Sequence, residues 1–275
     1  MNNKLTPAYI LFGALGGVLL LDLVLPIATL FVRADWPGWV AALRQHEARQ
    51  AIEVSIASST LAICIMMLLG IPLGYFLARV RLPFKLFWVS LVFLPMVVPD
   101  LAGGILLLQI FGPYGWVGQP LDARNIELTN SLVGIVLAQL FVAAPFVIVS
   151  SMAGFAGVDR ELEQAAATLG DSRWQIFWNI SLPLAKPSIA AGVTLAWIRA
   201  LGEFGATIIM AYNPHSLPVY LWVRFEADGL LSAMPVAFCL VVLAVIAVVI
   251  SMLLSRFSGR TDLITPLGEW GGDLE

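Results

Sequence analysis

This sequence is poor in charge, cysteine and histidine, and each shortage closes off a class of chemistry. Charged residues make up 12% of the 275 positions, about half the ~25% usual in soluble domains. With 60% hydrophobic residues and a mean hydropathy of +0.90, the chain is built to be solvated mainly by lipid. A net charge of −3 offers no basic surface for nucleic acid. Cys64 and Cys239 lie in apolar runs without metal-ligand spacing and read as small core hydrophobes. His46 and His215 fall in expected outer loops without a Cys or Ser arrangement of catalytic type around them, so no catalytic set is legible. Glycine is plentiful, yet no G-x-x-x-x-G-K-[ST] loop occurs, and the chain has no ATP loop of that kind.

What the sequence does have is long apolar runs. Six reach the ~20 residues that a bilayer crossing needs: Tyr9 to Val32, Val54 to Val80, Phe87 to Phe111, Leu132 to Phe155, Ser188 to Tyr212, and Leu231 to Ser255. Each must satisfy its own backbone and none alternates like a barrel strand, so the expected class is an all-α membrane protein with six transmembrane helices. The first run is too long for a signal-peptide core and is expected to be a retained span. A membrane domain over residues 1–260 and a tail over 261–275 follow.

Basic residues orient the spans. With the N-terminus inside, Lys4, Arg79, Arg81, Lys85, Arg160, Arg173, Lys186, Arg256 and Arg260 are cytoplasmic, against Arg33, Arg44, Arg49, Arg124 and Arg224 outside. Both termini are therefore expected in the cytoplasm of a multi-pass cell-membrane protein. The first outer loop, Asp35–Gln50, has the makings of a short interfacial helix around Trp39, Val40, Leu43 and Ala48, whereas Gly112–Asn130 reads as an irregular loop.

One polar segment, Glu161–Pro187, interrupts the apolar pattern on the cytoplasmic side. Leu162, Ala165, Ala166 and Leu169 follow the spacing of one helix face. Gly170 stands where an αL residue ends a helix, and Ser172 with Gln175 has capping-box spacing for a second one. Trp174, Phe177 and Trp178 give the second helix an aromatic side, and Pro183 and Pro187 are expected to break it.

The hairpin resembles the cytoplasmic loop of ABC-importer permeases, whose pattern is E-A-A, three residues, G, nine residues, I-x-L-P. Here Ala165 and Ala166 lead to Gly170, with Ile180, Leu182 and Pro183 nine residues beyond, while Gln164 replaces the family's Glu and Glu163 precedes it. The resemblance implies a type I ABC-importer permease fold. It also implies that Glu163, Gln164, Ala165, Ala166, Gly170, Arg173, Ile180, Leu182 and Pro183 couple the chain to an ATPase.

A second stretch, Trp197–Thr207, is similar to the A-R-A-[LI]-[GS]-E-F-G-A segment of permeases for tetrahedral oxyanions, with Ile198 in place of Ala. The continuation through Ala211–Pro214, Tyr220, Phe225, Gly229–Leu230 and Met234–Ala237 looks more like molybdate/tungstate permeases than sulfate ones. Leu94–Gly104 also resembles the family's third-span region. The implied assembly is a homodimer with two ATPase subunits, which carry the ATP and Mg, and an extracytoplasmic oxyanion-binding protein; no cofactor is expected on this chain. Sulfate, thiosulfate or another small solute is the alternative cargo, and a non-transporting membrane receptor or scaffold the alternative class.

The same residues have a physical reading. Arg199 is about twelve positions into its run, roughly 18 Å at 1.5 Å per residue, and Glu203 is four residues later on the same helix face. A charge at that depth must be paired or face water. An Arg199–Glu203 pair, with Asp100 as a further partner, is one reading; a place for Asp100, Arg199, Glu203, Phe204 and Gly205 on the solute's route is the other.

Overall fold

The computed structural model describes residues 7–32 and 34–256, all helix and loop. Helix α1 (Pro7–Val32) is followed by a short α2 (Trp36–Leu43), whose first turn is capped by the Asp35 carboxylate, and by α3 (His46–Arg79). At 34 residues α3 is about 50 Å long, so it overruns a ~30 Å hydrocarbon core and absorbs Ala48, which was expected in the interfacial helix.

Next come α4 (Lys85–Val97) and α5 (Asp100–Phe111), bent by 111° at a two-residue break. The bend has a local cause. Pro99 disfavours helix at the residue before it, and Val98 is extended, with φ −70° and ψ 126°. The single third span expected over Phe87–Phe111 is thus a broken one. The following loop contains one small helix, α6 (Gly118–Asp122), before α7 (Leu132–Ala156) starts at a Ser131 cap.

The hairpin helices α8 (Arg160–Thr168) and α9 (Arg173–Ile176) lead into a π-turn, Phe177–Ser181, and then α10 (Leu182–Leu201). Pro183 does not break this arm, contrary to expectation. The wider i→i+5 turn, closed by Leu182 N–H on the Phe177 carbonyl, lies just before a residue that has no N–H to offer, and the helix continues through Pro187. The short α11 (Gly205–Met210), α12 (Leu217–Asp228) and α13 (Leu230–Arg256) complete the chain.

Four of these helices are long and apolar enough to cross a bilayer, and five crossings result if the bent pair counts as one. The fifth expected crossing, Ser188–Tyr212, is divided: α10 ends at Leu201 and α11 begins at Gly205. Lys4, Arg33, Arg260 and the tail 261–275 lie outside the described residues.

The core is where α3, α7 and α10 meet, filled by Ala62, Ile63, Met66, Ala143, Val147 and Ala196. Small residues set the spacing, as membrane helices need close backbone approach. A Cβ on Gly74 would fall 2.6 Å from the Ser151 Cβ, and one on Gly192 2.3 Å from the Ser150 Cβ. A polar ladder crosses the same seam. Gln139 donates to Ser58 (3.1 Å) and to the Ala200 carbonyl (3.0 Å), Trp197 donates to Ser59, and Leu217 N–H donates to Ser55. Cys64, expected in the core, is on the exposed face of α3.

Candidate functional site

The hairpin is built by its own caps. Asp159 accepts from Glu161 N–H at 2.9 Å and starts α8. At the other end Gly170 takes φ +98°, a conformation that costs a Cβ-bearing residue about 1–2 kcal/mol. This lets Asp171 N–H reach the Ala166 carbonyl and Gly170 N–H the Ala167 carbonyl, a full Schellman closure. Ser172 and Gln175 form the expected capping box at once, so the cap of α9 stands two residues past the glycine and the helix begins at Arg173.

The apolar face expected on α8 is presented outward. Of its four residues only Ala166 is buried; Leu169 at the tip is 88% exposed, and Trp174 on α9 is 69% exposed. Ala165, Gln164, Arg173 and Pro183 are exposed, and Ile180 and Leu182 half-buried. The aromatic side of the second arm divides. Phe177 packs edge-on to Tyr75 at 4.9 Å and beside Phe155, anchoring the arm to α3 and α7, while Trp174 and Trp178 stay on the surface.

Glu163 is turned inward. Its Oε1 accepts from Arg79 at the end of α3, at 2.7 Å from Nη2 and 3.1 Å from Nε, and from Ser181 Oγ at 2.6 Å. Arg79 Nη2 also donates to the Val158 carbonyl at 3.1 Å. One carboxylate oxygen therefore ties together the last turn of a span, the first hairpin helix and the π-turn that leads into α10. Sequence reasoning counted Arg79 only as a topology charge and missed Ser181 and Tyr75. No local spacing reveals a pair whose members are 84 residues apart.

The second cluster lies where α5, α10 and α11 converge. Arg199, in the last turn of α10, donates to Asp100 at 2.7 Å and to Glu203 at 2.8 Å, so both expected partners engage the same guanidinium. Glu203 has no side-chain exposure and its second oxygen accepts Ala206 N–H at 2.7 Å, capping α11. Asp100, in the first turn of α5, has 42% of its side chain exposed and faces a cavity of about 90 Å³ shared with Pro95, Met96, Phe146 and Arg199. Gly205 makes the convergence possible: a Cβ there would sit 2.6 Å from the Asp100 Cβ. Phe204 is half-buried against Trp222. The Ser55/Ser58/Ser59 stripe and Gln139 behind this cluster were also missed, although helical spacing of serines in an apolar run is a readable signal.

Residues 70–262 match the family of binding-protein-dependent transport system inner membrane components. The chain belongs to this family. Members named as its relatives include a probable molybdenum ABC transporter permease of Haloferax volcanii, 44% identical over 86% of this chain and 86% of that one. Another is the molybdate/tungstate transport system permease of Thermococcus kodakarensis, 39% identical over 90% of this chain and 96% of the relative. The fold is that of the type I ABC-importer permeases. A bacterial alginate ABC transporter superposes with a TM-score of 0.70 at 18% identity, covering 94% of this chain and 96% of that chain. As a member of the inner membrane component family, the chain is a multi-pass membrane permease, and both clusters fall within the matched residues.

Proposed function

We propose that two copies of this chain form the membrane pathway of an ATP-driven importer for molybdate or tungstate. ATP and Mg belong to two separate ATPase chains that grip the cytoplasmic hairpins, and an extracytoplasmic oxyanion-binding protein delivers the anion to the outer loops. Both termini lie in the cytoplasm. The observation that carries this reading is the hairpin: an exposed apolar tip at Leu169 and Trp174 on a well-capped frame, bolted through Glu163 to the end of α3 and to the π-turn that leads into α10. Such a tip in water calls for a protein partner, and the bolt gives that partner mechanical purchase on α3 and α10. Closure of the ATPases would draw the two hairpins together and turn α3 and α10 with them. The anion class is supported by the names of the relatives and by the Trp197–Thr207 segment.

On this reading the Asp100–Arg199–Glu203 cluster borders the route. Its formal charge of one cation and two anions makes it a poor resting place for an oxyanion and suits it to a wall that the solute passes. The test is tracer molybdate uptake by vesicles holding permease, ATPase and binding protein, with tungstate and sulfate as competitors. Uptake needing ATP and blocked by tungstate is expected. Preferential block by sulfate would move the cargo to that anion, and anion-stimulated ATPase activity without uptake would make the chain a receptor.

A further inference from the structure

Beside the inward-turned Glu163 the hairpin borders an open hollow of about 380 Å³ whose polar lining includes Arg79, Arg160, Glu163, Gln164 and Arg173, with Tyr75 at its wall. Arg79 and Glu163 neutralise one another at 2.7 Å. Arg160 and Arg173 have no ion pair among the described residues, and both are exposed. The hairpin's other acids, Asp159, Glu161 and Asp171, do not line the cavity. Its unbalanced charge is therefore two guanidinium groups with a neutral amide, Gln164, beside them.

Both arginines stand at the first helical position after a cap, Arg160 after Asp159 and Arg173 after Ser172. A helix start favours acids, so cations at both starts are not there for helix stability. Exposed apolar side chains of the same hairpin, Leu162, Leu169 and Trp174, give a dry patch beside a positive hollow.

We infer that this hollow receives an acidic segment of the ATPase subunit, with one carboxylate between Arg160 and Arg173. The substitution of Gln164 for the family's Glu belongs to this arrangement, because a carboxylate at that position would repel the incoming one. A hollow of about 380 Å³ is far larger than one tetrahedral anion, and its size suits a protruding side chain with its backbone. Planar forks on two sides match a carboxylate well. The inference rests on the reading of the chain as an ABC-importer permease, and it fixes the sign of the contact, which that reading leaves open.

Restoring the family's acid gives a test whose sign decides. Binding of the cognate ATPase to the full-length permease in nanodiscs is measured at several NaCl concentrations, without any transport readout. For the wild type, affinity should fall as salt rises. Gln164→Glu should weaken binding several-fold, and Arg160→Glu with Arg173→Glu should weaken it at least tenfold and abolish the salt dependence. Arg160→Lys with Arg173→Lys should retain most of the affinity, and unchanged melting temperatures would show that the exposed substitutions leave the fold intact. Tighter binding by Gln164→Glu, or undiminished binding by the double reversal, would overturn the inference while leaving the permease reading in place. A wild-type chain that binds no ATPase would overturn both. Sodium molybdate titrated into the permease alone at constant ionic strength should give no binding that the double reversal removes; such binding would make the hollow an oxyanion site and refute the carboxylate assignment.

Discussion

Arg79 and Glu163, 84 residues apart in the chain, meet at 2.7 Å where the longest helix ends and the α8–α9 hairpin begins. With 11% and 15% side-chain exposure the pair is shielded from solvent, so removing one member leaves a nearly buried charge. Arg79→Ala should lower stability by about 2–3 kcal/mol, below the 3–5 kcal/mol of a fully buried pair. Glu163→Gln, which keeps an acceptor for Ser181, should lose about 1 kcal/mol. Thermal melting in detergent checks both, and Arg79→Ala should also depress uptake. Wild-type melting and uptake in Arg79→Ala would show that the bolt is ornamental.

Gly170 offers a cleaner separation of driving from folding. No atom lies within 4 Å of where its Cβ would be, so a substitution there strains only the backbone at φ +98°. Gly170→Ala should cost about 1–2 kcal/mol, confined to the hairpin, and Gly170→Asn less, because Asn tolerates αL. The expected result is a several-fold loss of ATPase binding and uptake for Ala and Asp, a smaller loss for Asn, and an unchanged global melting temperature. Full transport by Gly170→Asp would refute a coupling role for the turn.

Two glycines flanking Glu203 should behave oppositely. A methyl on Gly205 would collide with Asp100 and lie 3.1 Å from Leu101 N, so Gly205→Ala must push α5 away from α11, at about 1–3 kcal/mol. A methyl on Gly202 meets only the Ile198 carbonyl at 3.5 Å, an ordinary contact. Gly202→Ala should therefore melt and transport as wild type does, while Gly205→Ala should be impaired in both. Equal behaviour of the two would show that the α5–α11 approach is not needed.

Arg199 holds two acids, one of them fully enclosed. Arg199→Ala strands the Glu203 carboxylate with only Ala206 N–H and should lose about 3–5 kcal/mol. Adding Glu203→Gln should recover part of that loss, and Asp100→Asn alone, at a 42% exposed side chain, should change stability by about 1 kcal/mol or less. A melting series on the three variants reads the coupling. If the double variant melts no higher than Arg199→Ala, the ion pair is not what Arg199 supplies.

The sequence made short-range devices legible. The glycine turn at Gly170, the Ser172–Gln175 capping box and the Arg199–Glu203 pair are four or fewer residues deep, and local spacing displays them. It also made Asp100 a candidate partner, because an isolated acid in an apolar run needs a cation. What stayed hidden depends on distant parts of the chain. The Arg79–Glu163–Ser181 junction needs the end of α3 brought to the hairpin. The passage of α10 through Pro183 depends on a π-turn that no residue pattern marks. The division of the fifth run at Gly202–Phe204 was hidden for a different reason: hydropathy continues across a break at which the Glu203 carboxylate accepts the Ala206 N–H that starts α11.

Helix α1 joins the remainder of the protein through Phe31, edge-on to Phe238 at 5.5 Å. Its span from Leu11 to Val32 buries none of its residues within the chain. Among the described residues nothing of the chain covers this span, so its apolar surroundings must come from outside the chain, from lipid or a second copy, whereas α3, α7 and α10 find theirs in one another.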